Sequence, residues 1–142
     1  MLISILNGYG QFSSIVKSVI RLDYENAVIE SRQLENLDER EFFISLTTLL
    51  KHGGQKKADS LFVNTIDVRS EDPRDQLLLG IYNMYNGLSG KALRSFLKSL
   101  QKFKEDRDEL LVINYQAILH LYSRILLSEK YKYYLYQFKE IA

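Results

Sequence analysis

The stretch Leu77 to Leu100, LLLGIYNMYNGLSGKALRSFLKSL, joins a helical apolar period to small residues at fixed offsets. Leu77, Leu78, Ile81, Met84 and Tyr85 recur at i, i+3, i+4 spacing, and after Gly87 the period resumes with Ala92, Phe96 and Leu100. The stretch therefore reads as two helices joined by a turn. Helices that cross at about 8–10 Å have no room for a long side chain where they come closest, so Gly80 and Ala92 are expected at that contact. Gly87 is expected to supply the positive φ that ends the first helix.

The pattern has an echo upstream. Gly53 and Gly87, Ala58 and Ala92, Phe62 and Phe96, and Ile66 and Leu100 are each 34 residues apart. That period, with Leu79-Gly80 and then Ala92-x3-Phe96, matches the tetratricopeptide repeat, a helix-turn-helix unit that buries its apolar face by stacking on its neighbours. The echo weakens toward the start, where Ala27 to Ala58 is only 31 residues.

Taken in order, Phe12, Ile15, Val16, Val19 and Ile20 predict a first helix over about 10–22, after Gly8 and Gly10. Asp23 is a candidate N-cap for a second helix over about 24–35. Asp38, Glu39 and Glu41 place negative charge at the start of a third, from Leu37 to about Lys51. A fourth is expected over Gln55–Val68, with Ala58, Leu61, Phe62, Thr65 and Ile66 inward, followed by a polar turn and Pro73 near the first position of the next helix. The charged run Lys104–Asp108 is expected to separate the central pair from a long apolar helix over about 107–128. A last helix, about 129–141, would turn Tyr131, Tyr134, Leu135, Phe138 and Ile141 inward and Lys130, Lys132, Lys139 and Glu140 outward, closing the stack. The expected fold is an all-α, tetratricopeptide-like superhelical stack of about eight helices. It forms one domain over 1–142, with pairs at about 10–35, 38–68, 73–104 and 107–141.

Composition agrees with that class. One proline and seven glycines beside 46% hydrophobic residues favour helices with short turns over a β-sandwich. The absence of cysteine removes disulfides and thiolate metal sites. A formal charge of +1, from 19 basic and 18 acidic residues, provides no broad field for a nucleic-acid backbone or an anionic membrane. The apolar run MLISILNGYGQF has no basic n-region and no small-residue cleavage site, so no signal peptide is expected. No window reaches the roughly 18 uncharged apolar residues of a membrane span.

In such a stack the first helix of each pair lines a concave wall. Phased on Ala92, the wall residues are Phe12, Val16 and Val19, then Phe43, Thr47 and Leu50, then Leu77, Ile81, Met84 and Tyr85, and finally Leu111, Tyr115, Ile118 and Leu119. Nearly all are apolar, so the wall carries neither the basic residues of a phosphate groove nor the Lys, Arg and Asn that clamp a free carboxylate. An exposed wall of this kind would take the apolar stripe of an amphipathic helix, anchored at i, i+3, i+4 and i+7. Taken singly, each of these residues fits a core position at least as well. If the wall is open, Asp at Ile81 or Met84 should abolish partner binding and leave the helices intact.

No catalytic or metal-binding set emerges. His52 and His120 are isolated, Glu71-Asp72 and Asp106/Asp108 fall in polar turns, and Gly53-Gly54 lacks the Lys-Ser/Thr of a phosphate loop. The tail KYKYYLYQFK mixes bases and aromatic rings that could stack on single-stranded nucleic acid, but a capping helix with half-buried tyrosines accounts for it as well. The chain is read as a non-enzymatic module without cofactor or metal.

The segments YENAVIE, LDEREFFISLTTLLKHGGQKKAD and YNGLSGKAL, within Tyr24 to Lys104, resemble the tetratricopeptide chaperones of type III secretion needle subunits, the YscG-like group. The resemblance covers a little over half the chain. It implies a bacterial cytoplasmic protein that holds the needle subunit by its amphipathic carboxy-terminal helix in the concave groove, together with a small helical co-chaperone near the first helices. Leu77, Ile81, Met84, Tyr85, Phe43 and Leu50 would then be groove residues. The long helix and tyrosine-rich end after residue 107 depart from that pattern. A general adaptor or regulatory tetratricopeptide module is the alternative reading.

Overall fold

The computed structural model describes residues 12–55, 67–125 and 128–141. Among them are seven helices and no strand: α1 (Ser14–Ile20), α2 (Tyr24–Arg32), α3 (Leu37–His52), α4 (Pro73–Tyr85), α5 (Ser89–Asp106), α6 (Leu110–Arg124) and α7 (Ser128–Ile141). The protein is an all-α stack of helix pairs. Most of the helix expected over Gln55–Val68, with Ala58, Leu61, Phe62, Thr65 and Ile66, lies outside the described residues, as do Gly8 and Gly10; Val68 itself is in a turn.

Short polar side chains start the helices by accepting from first-turn amides that have no helical partner. Ser13 Oγ accepts from the Val16 amide at 3.3 Å, Asp23 Oδ1 from Asn26 at 3.2 Å, Asn36 Oδ1 from Glu39 at 3.0 Å and Asp72 Oδ1 from Arg74 at 2.8 Å. Pro73 occupies the first turn of α4, where its missing amide leaves nothing unpaired.

Two ends differ from the sequence reading. The run Lys104–Asp106 continues α5 instead of breaking it, because Lys102 pairs with Glu105 at 3.8 Å and Asp106 at 3.6 Å across a helical turn. The chain reverses only at Arg107, which takes a left-handed conformation with φ 51°. In the other case, Gly53 and Gly87 share a spacing but not a role. Gly87 has φ 77° and ends its turn as expected, whereas upstream the positive φ, 83°, falls on Gly54. Gly53 instead lies against the Tyr85 ring, where an added Cβ would collide.

The pair α4 and α5 meets through Gly80 and Phe96, as the small-residue argument predicts. A Cβ at Gly80 would fall 2.5 Å from the fully buried Phe96 ring. Helix α6 then packs against α5, α7, α4 and α1. It is buried along almost its whole length, from Leu110 through Tyr122. At its contact with α5, Asn114 donates through Nδ2 to Ser99 Oγ, and Ser99 Oγ in turn reaches the Ser95 and Phe96 carbonyls at 3.1 and 3.0 Å. The Asn114 Oδ1 has no partner. Helix α7 packs its expected stripe on α6, with Ile141 buried, Tyr131, Tyr134 and Phe138 half-buried, and Tyr134 stacked on Tyr122 at 5.5 Å.

The first and last pairs also meet. Helix α1 packs on α6. Ser13 donates to Glu109 through both its amide, at 2.8 Å to Oε2, and its hydroxyl, at 2.7 Å to Oε1. At the other end of α1, Gln116 Nε2 donates to the Ile20 carbonyl at 3.4 Å. The stack therefore closes on itself.

Gly80→Ala would gain about 1 kcal/mol of helix propensity yet must displace a buried ring, an overpacking cost of about 1–3 kcal/mol. The expected net effect is a melting temperature lowered by a few degrees in a thermal unfolding series followed by circular dichroism. An unchanged or higher value would mean that α4 and α5 have slack at this contact.

Candidate protein-binding surface

Closure of the stack decides where the wall residues lie. Phe12, Val16, Val19, Phe43, Thr47, Leu77, Ile81, Met84, Leu111, Tyr115 and Ile118 are all buried in one continuous core. The open apolar wall expected from the sequence is therefore the interior of the folded chain. The reason is geometric: α1 and α6, the first helices of the first and last pairs, face each other across it. Of the predicted wall, Leu50, Tyr85 and Leu119 stay half-buried. Asp at Ile81 or Met84, which are 0% and 2% exposed, would put a charge into the core and unfold the chain.

Tyr85 is the centre of what remains accessible. It closes α4, and its ring lies on the Gly53 backbone after the end of α3. Its hydroxyl points to the Leu50 carbonyl at 3.5 Å. From α6, the His120 ring sits 6.1 Å away at a tilt of 50°, and the Arg124 guanidinium carbon lies 5.7 Å from the Tyr85 ring centroid. Glycine at position 53 permits this approach, since any side chain there would push the ring outward. Spacing of i and i+4 on α6 places His120 and Arg124 on one face.

Electrostatics follow from the packing. Burial raises the Tyr85 phenol above the usual range, with Arg124 acting in the opposite direction. Tyr24 is also raised, first by burial and then by Tyr85. For His120, partial burial comes first and the nearby Arg124 charge second, and both lower its pKa below 6.5. The patch thus holds a neutral imidazole, a neutral phenol and one guanidinium around an apolar rim. Aromatic rings beside a guanidinium are the groups that carry most protein contacts in general.

Sequence reasoning placed Leu50 and Tyr85 here but missed His120, Arg124 and Tyr24. The i, i+4 spacing on α6 was available, but nothing in the sequence ties that face to Tyr85. Among the described residues no group of three or more His, Asp or Glu could hold a metal ion, and no helix is long and apolar enough to cross a membrane.

Comparison with known proteins finds no family model, no curated protein and no solved structure that matches the chain.

The lowered His120 pKa gives a signed pH dependence. The folded state resists protonation of His120 more than the unfolded chain does, so it binds fewer protons in this range. The associated stability is present above about pH 6.5 and is lost as pH falls through the lower folded value. Between about pH 7.5 and 5.5 the melting temperature of the native chain should therefore fall more steeply than that of His120→Gln. Parallel curves for the two proteins would show that His120 is not held neutral by the fold.

Proposed function

We propose that the chain is a protein-binding helical stack that holds an amphipathic helix of a partner against its apolar wall. The client that best suits this reading is the kind its sequence resemblance implies: a small secretion subunit, such as a type III needle subunit, whose carboxy-terminal helix polymerises unless covered. A small helical co-chaperone and a bacterial cytoplasmic setting belong to the same proposal.

One observation carries the reading. Phe12, Ile15, Val16 and Val19, buried on and just before α1, stand at i, i+3, i+4 and i+7. That is the anchor pattern of an amphipathic helix docked in a groove. Helix α1 therefore turns toward α6, inside its own chain, the stripe that a client helix would offer. It is also a weak occupant. It has seven residues, too short to be stable as an isolated helix, and it is followed by Leu22, an exposed non-glycine residue with φ 63°. Its polar ties to α6 are two, Ser13 to Glu109 on the surface and the long Gln116 bond to Ile20, while on α2 Ser18 accepts from Asn26 at 2.9 Å and donates to Glu30 at 3.1 Å.

Binding in this scheme exchanges one amphipathic helix for another. The client displaces α1, and Leu50 and Tyr85 at the accessible end of the wall make the first contact. A polymerising subunit is protected while bound and released when α1 returns, so affinity is high but reversible. Export of the subunit requires that reversibility.

Fluorescence anisotropy with a labelled amphipathic peptide carrying Leu or Ile at i, i+3, i+4 and i+7 tests this. Tyr85→Ala should weaken binding about tenfold, roughly 1.4 kcal/mol. Glu109→Ala, which loosens the α1 tie, should strengthen it by a few-fold, on the scale of a surface hydrogen bond of about 1 kcal/mol. Circular dichroism checks that both variants remain helical. Unchanged affinity in both would sink the exchange mechanism.

A further inference from the structure

A second surface lies on the flank of α4 and α5, away from the wall. A cavity of about 240 Å³ is lined by Val68, by Gln76, Leu79 and Asn83 on α4, and by Lys91, Arg94, Ser95 and Lys98 on α5. On both helices these positions recur at i, i+3/i+4 and i+7, so each helix presents one stripe to the cavity. That stripe differs from the one that carries Leu77, Ile81 and Met84 into the core.

Its chemistry is one-sided. Lys91, Arg94 and Lys98 are exposed, and none of them makes an ion pair among the described residues. None of the described lining residues is acidic. Like charges at i, i+3 and i+4 repel and cost a helix a few tenths of a kcal/mol per pair, and no ion pair offsets them among the described residues. Seven residues of helix put the first and last cation about 10 Å apart along the axis.

The neutral groups identify the ligand further. Asn83 and Ser95 are 7% and 6% exposed, and neither side chain makes a hydrogen bond among the described residues. Gln76, 6% exposed, spends its Nε2 on the Ser70 carbonyl at 2.5 Å. Their polar atoms are reachable from the cavity and not sealed in the core, where the one unpaired side-chain atom among the described residues is Asn114 Oδ1, so they are free to pair with a ligand that enters it. A carboxamide offers one acceptor and two donors. A phosphate, ionised and without amides, could accept from Asn83 but would give its oxygen little. A peptide backbone answers both ends of the carboxamide with its own N–H and C=O, provided it is extended and not already paired in a helix.

We propose that this flank binds an extended acidic peptide segment of a partner protein, its carboxylates spread along Lys91, Arg94 and Lys98 and its backbone paired with Asn83. The site is separate from the apolar wall and does not depend on it.

The probe is a fluorescein-labelled octapeptide with alternating Glu and Ser, measured by anisotropy against the full chain at 20 mM and 200 mM salt, with the matching Gln-Ser peptide as control. The Lys91→Gln/Arg94→Gln/Lys98→Gln variant should weaken binding at least tenfold and flatten its salt dependence. Lys104→Gln/Lys130→Gln/Lys132→Gln removes the same charge from exposed positions elsewhere and should stay within twofold of the native chain. Asn83→Ala should weaken binding several-fold without changing the salt dependence, and Tyr85→Ala should have no effect. Equal losses in the two triple variants, no binding of the acidic peptide at low salt, or displacement by inorganic phosphate at matched ionic strength with no Asn83 effect would each overturn the assignment.

Discussion

Helix α6 is apolar on nearly every side, and a helix of that kind has to be surrounded. Leu110, Leu111, Val112, Ile113, Tyr115, Ala117, Ile118, Leu121 and Tyr122 leave water only the narrow strip of Gln116, Leu119, His120, Ser123 and Arg124. Helix α5 covers one side and α7 another, while α1 closes the side that an open stack would leave bare. The one polar break, Asn114, fixes how α6 sits on α5. Its amide finds Ser99, and a rotation of the helix that breaks this bond leaves the Asn114 amide buried and unpaired, at about 1–3 kcal/mol. The unpaired Oδ1 is the cost of that selectivity. The same demand for cover explains why α1, short as it is, is held in place.

Local structure was legible because it depends on nearby residues. Asp23 as a cap, Pro73 in a first turn and Gly87 at positive φ follow from chemistry within a turn or two of each residue, while small Gly80 at the α4–α5 contact and the inward stripe of α7 follow from the apolar period of neighbouring helices. The fate of the wall was not legible. A residue on the concave face of an open stack and a residue in the core of a closed one need the same side chains, so Ile81 and Ile118 look alike in either case. What separates the two is the small rotation from each pair to the next, accumulated over the whole chain. The contact that reports closure, Ser13 to Glu109, spans 96 residues, and neither residue is unusual for a helix start.

Closure also sets the energetics of any partner. If α1 must leave before a client helix docks, the observed affinity is the intrinsic one reduced by the fraction of molecules already open. Each 1.4 kcal/mol holding α1 down lowers apparent affinity tenfold. A seven-residue helix tied to α6 only by Ser13 and Gln116 and to α2 by Ser18 sets that penalty, and its buried Phe12, Ile15, Val16 and Val19 keep the core covered while it stays in place. A protein that kept the wall permanently open would present that apolar surface to every neighbour.

Charge follows a similar logic of place over total. Nearly equal numbers of acids and bases give the chain a net charge of +1 and no broad field. At physiological salt, however, exposed charges act over about 8 Å, a distance shorter than the molecule and close to the spacing within the α5 stripe. Three cations on one helical face therefore act together, while the compensating acids elsewhere are screened from them. The sums that argue against nucleic acid or membrane say nothing about a patch of this size. Asn83 and Ser95, small polar residues with no motif around them, become informative only when their burial is known. An amide that opens onto a cavity beside exposed cations fits a ligand that brings carboxylates and a free backbone together, which is what an acidic peptide offers.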